Sequence, residues 1–80
     1  MCLGIPMEIA AIDGYIARCR AKGIERDVSL FLLQDEVLAV GDFVMVHVGY
    51  AIQKMTEKEA RTTWELFDRM LAAEANSADA

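Results

Sequence analysis

Between Ile5 and Lys54 apolar residues recur with a period of two, in short runs separated by turn-forming residues. After Met55 the period lengthens to that of a helix and stays there. In a chain of 80 residues that switch restricts the fold to one small antiparallel β unit followed by one helix. Ile5, Met7 and Ile9 alternate with Pro6 and Glu8, the pattern of a half-buried strand. Ile12 falls out of phase after Ala10-Ala11, which places a bulge or bend there. Asp13-Gly14 is a hairpin signal, because Gly adopts the positive φ that a tight turn demands. The expected return strand, Tyr15 to Arg20, sets Tyr15, Ala17 and Cys19 on one face and Ile16, Arg18 and Arg20 on the other. Lys22-Gly23 turns the chain again, and Ile24 to Leu33 alternates with Ile24, Val28, Leu30 and Leu32 on one side.

Val37 to Val40 forms a further short apolar run, bounded by Gln34-Asp35-Glu36 and Gly41-Asp42. Phe43 to Ile52 is the most apolar strand, with Val44, Val46 and Val48 on one face and Phe43, Met45 and His47 on the other. A strand apolar on both faces is usually covered on both. Gly49 permits a bend or a close approach by another chain. Thr56 and Glu59 then make a capping box, and Ala60, Trp64, Phe67 and Leu71 recur at helical spacing, flanked by Leu66 and Met70. The pattern predicts a small OB-like five-stranded β-barrel over residues 1–55 with an appended C-terminal α-helix over 56–75. Residues 76–80 read as a frayed tail, and the whole of 1–80 as a single domain. Trp64 and Phe67 are the expected anchors of the helix, as core packing rather than as a partner site, since helical apolar stripes usually face a core.

Composition narrows the function classes. Hydrophobic residues make up 55% of the chain, too many for a disordered tail. The formal net charge of −5 repels phosphate backbones, so no nucleic acid is expected as a partner. No apolar run reaches the ~18 residues of a membrane span, so no membrane is expected either. The opening lacks a basic start, and Pro6 and Glu8 interrupt its apolar stretch, unlike a signal peptide. The expected location is cytoplasmic. Two cysteines, Cys2 and Cys19, are too few for a secreted disulfide framework. Two free thiols are the default in a reducing compartment, with one bridge between them left open.

Two residues resist a purely structural reading. Removal of Met1 would make Cys2 the N-terminus, where the adjacent ammonium group favours the thiolate, the form that binds metals and attacks electrophiles. His47 is the only histidine, set in Val46-His47-Val48. A lone histidine on an apolar strand is more often a satisfied core residue than a ligand. One Cys and one His do not close a structural zinc site, which wants four ligands. An open two-ligand site that hands its metal on suits these residues better. Cys19 shares its expected strand face with Tyr15 and Ala17 and reads as structural.

The opening Met1-Cys2-Leu3-Gly4-Ile5-Pro6 resembles the signature of the HypC/HupF/HybG hydrogenase maturation family. The resemblance continues through Ile12-Asp13-Gly14, Gly23 to Val28 and Gly41-Asp42-Phe43-Val44. It is strongest at Val46-His47-Val48-Gly49-Tyr50-Ala51 and resumes at Glu59-Ala60-Arg61. The segment Gln34 to Val40 is shorter than in many relatives, and Tyr50 stands where Phe is common. The resemblance implies an OB-like barrel with a C-terminal helix and a chaperone rather than an enzyme. It implies binding to HypD and to the hydrogenase large-subunit precursor, through Cys2, Leu3, Gly4, Ile5 and Pro6. It also implies assembly and delivery of iron carrying cyanide and carbon monoxide, Fe(CN)2CO, held transiently by Cys2 and His47. Two rival classes rank lower. An OB-type nucleic-acid module needs a basic groove with stacking aromatics, whereas this chain is acidic and its aromatics are expected mainly on the helix and in core strands. A small cysteine-dependent enzyme needs oxyanion donors and an orienting group that the sequence does not identify.

Overall fold

Tight turns built on left-handed residues fold the first half of the chain into a meander. In the computed structural model, which describes the backbone of residues 4–79 and the side chains of residues 4–70, strand β1 (Ile5–Asp13) turns through Gly14-Tyr15 into β2 (Ile16–Ala21). Strand β2 turns through Lys22-Gly23 into β3 (Ile24–Ser29), with φ of 54° and 79° at the two turn residues. Positive φ at both positions matches the right-handed twist of the flanking strands. A register shift between Ile9 and Ala11 marks the expected bulge. It lets β1 bend, so that its opening pairs with β4 (Phe43–His47) and its remainder with β2. Strand β5 (Tyr50–Met55) pairs with β4 and meets β3 in parallel at Ser29↔Tyr50, which closes the barrel in the order β1-β2-β3-β5-β4.

The interior is aliphatic. Met7, Ile9, Ala17, Cys19, Val28, Leu30, Val44, Val46 and Ala51 form one buried cluster, with Leu33 and Leu38 packed against its side. None of the aromatic residues is fully buried, and Tyr15, Phe31 and Tyr50 are exposed, contrary to the expectation that aromatics fall mainly on the helix and in core strands. Tyr15 sits in the first turn rather than on the β2 face, and its ring meets Phe31 edge-on at 6.0 Å.

Three boundaries differ from the periodicity. The third strand stops at Ser29, and Leu30 turns the chain into a 3-10 turn over Phe31–Leu33, which leaves Leu32 exposed. Val37 to Val40 is not a strand: Val37 and Val40 face solvent and only Leu38 of that run reaches the core. The fifth strand instead comes from the long apolar segment, which breaks at Val48-Gly49 into β4 and β5, leaving Val48 79% exposed. Helix α1 (Glu57–Asp79) continues beyond the expected end at 75. Its last turns contain no Gly or Pro and several Ala, so nothing local stops propagation. Its start is the expected capping box: Glu59 N–H donates to Thr56 Oγ1 at 3.0 Å, and Thr56 N–H donates to Glu59 Oε1 at 2.8 Å. Ala60 is buried against the barrel, whereas Leu66 and Met70 are exposed and the side chain of Leu71 lies outside the described residues.

Candidate functional site

The antiparallel ladder between β1 and β4 pairs Ile5 with Val46 and Pro6 with Met45. One step further along the same register, Gly4 comes level with His47, the last residue of β4. Gly4 approaches β4 so closely that a Cβ there would lie 2.5 Å from the Val46 carbonyl oxygen and 3.2 Å from Met45 Sδ. Any larger residue at position 4 must displace backbone. His47 is exposed and pairs with Tyr50 across the Val48-Gly49 turn, so it is not the buried core histidine that an apolar strand suggests. Val48 holds that turn at φ 52°, a conformation that β-branched residues rarely adopt. The described end of the N-terminal motif, Gly4 and Ile5, therefore shares one rim of the barrel with His47. Cys2 and Leu3 lie outside the described residues. Among those described, Gly4 and Ile5 are at least partly accessible, whereas Pro6 is fully buried and offers no side-chain surface to a partner.

Pro6 has a different role, readable from strand geometry. Ile9 donates its N–H to Asp42 O at 2.8 Å and accepts from Gly41 N–H at 2.9 Å, so its polar groups face the β4 side of β1. In an extended strand the alternation places Met7 and Ile5 the same way, and Pro6 toward the opposite edge. There the β2 ladder begins only at Glu8↔Arg20, and the Lys22-Gly23 turn stands opposite Pro6. Proline has no N–H to leave orphaned at this unpaired edge. Its carbonyl is satisfied by the helix, since Trp64 Nε1–H donates to Pro6 O at 2.9 Å. Phe67 meets the indole edge-on at 5.7 Å, Lys22 Nζ lies 5.2 Å from the ring centroid, and the same ammonium bonds Asp68 at 3.2 Å. Sequence reasoning identified Trp64 as an anchor but not its target. The available signal was a proline inside a strand, which requires an unpaired edge for something else to fill.

Cys19 is fully buried within the aliphatic core, and burial pushes its thiol up to about 11. A thiol kept protonated there is neither a ligand nor a nucleophile at neutral pH. Because the folded value is raised above the ordinary 9.0, the unfolded chain loses this proton first as pH rises. Stability should therefore hold below pH 9 and fall between pH 9 and 11, by at most ~1.4 kcal/mol per pH unit from this group. Urea melts across that window should show a shallower alkaline slope for Cys19→Ala than for the parent chain. Cys19→Ala should also leave biological activity largely intact, and loss of activity at normal protein level would identify Cys19 as a working thiol.

Among the described residues no three His, Cys, Asp or Glu side chains gather as a metal-holding group. Nor do the cations form a free basic track: Arg18, Arg20, Lys22, Lys54 and Arg61 each face a carboxylate within 4.0 Å. No helix among the described residues is long and apolar enough to cross a membrane.

Fold and site together define a small OB-like barrel with a docked helix, in which the candidate residues Gly4, Ile5 and His47 lie on an open rim. The family model for the HupF/HypC family matches residues 1–67. The hydrogenase maturation factor HypC of Escherichia coli K12 is 40% identical over 78 residues, covering 92% of this chain and 87% of the relative. HypC of Helicobacter hepaticus is 38% identical over 72 residues, covering 89% and 83%. The hydrogenase expression/formation protein HupF of Bradyrhizobium diazoefficiens is 41% identical over 73 residues, covering 91% and 72%. This chain belongs to the HupF/HypC family.

Proposed function

We propose that this protein is a hydrogenase maturation chaperone, a carrier and adaptor rather than an enzyme. It binds HypD and the hydrogenase large-subunit precursor and helps assemble and deliver Fe(CN)2CO, which is its cargo and not a resident cofactor. Cys2 and His47 are the transient ligands. The observation that carries this reading is the β1–β4 register, which sets Gly4 level with His47 in a chain of this family. Two residues of chain, with a reach of at most ~7 Å, are the tether between Gly4 and Cys2. A thiolate and an imidazole both suit low-spin iron(II), and two protein ligands release a metal to a competing set of thiolates more readily than a closed four-ligand cage does. Gly4 and Ile5, accessible beside His47, supply contact surface for the partner.

The rival nucleic-acid reading gains three exposed aromatics, Tyr15, Phe31 and Tyr50. It lacks the cationic groove that would accompany them, because most basic side chains are already matched to carboxylates. The testing experiment is purification of a tagged chain from cells that make hydrogenase, with mass identification of bound proteins and metal analysis. HypD and a large-subunit precursor should co-purify with iron. Recovery of single-stranded nucleic acid with neither protein would overturn the proposal.

A further inference from the structure

We propose that Trp64 is a positioning residue for the rim site: by holding the Pro6 carbonyl, its indole N–H keeps the opening of β1 in register with β4 and so holds Gly4 and Ile5, the described end of the N-terminal motif, beside His47. The inference rests on the reading of Cys2 and His47 as the working pair. From Ile5 to Met7, β1 has a ladder partner on the β4 side alone, since pairing with β2 starts at Glu8. A strand end held along one edge frays more readily than one held along both. Trp64 occupies the missing edge. Its N–H takes the carbonyl that a neighbouring strand would have satisfied, and Pro6 removes the donor that the indole could not have served.

The rest of the arrangement points the indole at this task. Phe67 fixes one side of the ring, and Lys22 lies over it from the turn opposite Pro6 while bonding Asp68 one helical turn further along. The β2–β3 turn, the helix and the opening strand are thus tied at one point. The register they hold has little tolerance. Gly4 already passes the Val46 carbonyl so closely that a Cβ would not fit, and a slip of the strand would carry the motif away from His47. An aromatic residue needed only for bulk would work as Phe, as Phe67 does beside it. The donor nitrogen is the part that bulk does not explain.

The test compares Trp64→Phe, which keeps an aromatic ring and removes the donor, with Val28→Ala, which weakens the core away from the helix. Backbone amide exchange is followed by NMR in the full chain, and hydrogenase maturation is measured in cells. In Trp64→Phe, exchange at Ile5 and Met7 should accelerate about tenfold or more beyond any global change, while Ala17 and Val28 stay within about threefold. Maturation should fall although the protein remains folded. Val28→Ala should accelerate exchange evenly and spare maturation at matched protein level. Ile5 and Met7 exchanging in Trp64→Phe as in the parent chain, or no faster than in Val28→Ala at equal stability, would overturn the positioning role. That result is distinct from failure of the site itself, which full maturation by Cys2→Ala would reveal.

Discussion

Cys2→Ala is expected to abolish hydrogenase maturation while leaving the barrel folded. A residue so close to a chain terminus generally supports little packing, so the substitution should spare the fold. What it removes is the one thiol free to act, since Cys19 is sealed in the core with its proton held. Imidazole alone binds low-spin iron less well than a thiolate does, and the partner complex should weaken with it. His47→Ala should cost less, roughly tenfold, in the range typical of groups that orient or assist a metal ligand. The decisive measurement is infrared spectroscopy of the chain co-purified with HypD, in the region where metal-bound cyanide and carbonyl absorb. Both bands should be lost in Cys2→Ala and weakened in His47→Ala. Unaltered bands with full hydrogenase activity in Cys2→Ala would sink the carrier mechanism, family membership notwithstanding.

Trp64→Ala should destabilise the protein by about 3 kcal/mol, at the lower end for a large aromatic because the ring is only partly buried. Two losses combine. The apolar contact with the barrel and the edge-on contact with Phe67 disappear, and the Pro6 carbonyl is left without its donor beside a fully buried proline ring. In a domain of this size that loss lowers the melting temperature by more than about 10 °C. A denaturant midpoint unchanged by the substitution would mean that the helix does not contribute to the folded core.

Much of this architecture was legible because it is encoded locally. Lys22-Gly23 and the Thr56–Glu59 box each act within four residues, so their chemistry can be read without knowing the rest of the chain. The bulge near Ala10 showed as a break in phase for the same reason. Gly49 marked a permitted bend, but the full Val48-Gly49 turn was hidden because Val is a poor left-handed residue and the flanking apolar positions look like one continuous strand. The Val37–Val40 run then supplied a false fifth strand. Apolar spacing marks what can be buried, and here only Leu38 finds room against the core. The Cys2 motif and His47 could be singled out as residues, but the rim that Gly4 and Ile5 share with His47 depended on the hidden turn that ends β4 there. The seat of Trp64 could not be inferred from spacing, because its acceptor lies 58 residues away.

That same separation sets an order of events during synthesis. The Cys2 motif leaves the ribosome before its β4 partner, which follows some forty residues later, and Trp64 comes after both. At about 5–20 residues per second, several seconds pass in which the opening strand exists without either its β4 neighbour or its brace. A chain cut short before the helix would carry the whole motif and still lack the support for its opening strand. The rim thus stays unfinished until the helix has been made, and a later segment certifies an earlier one.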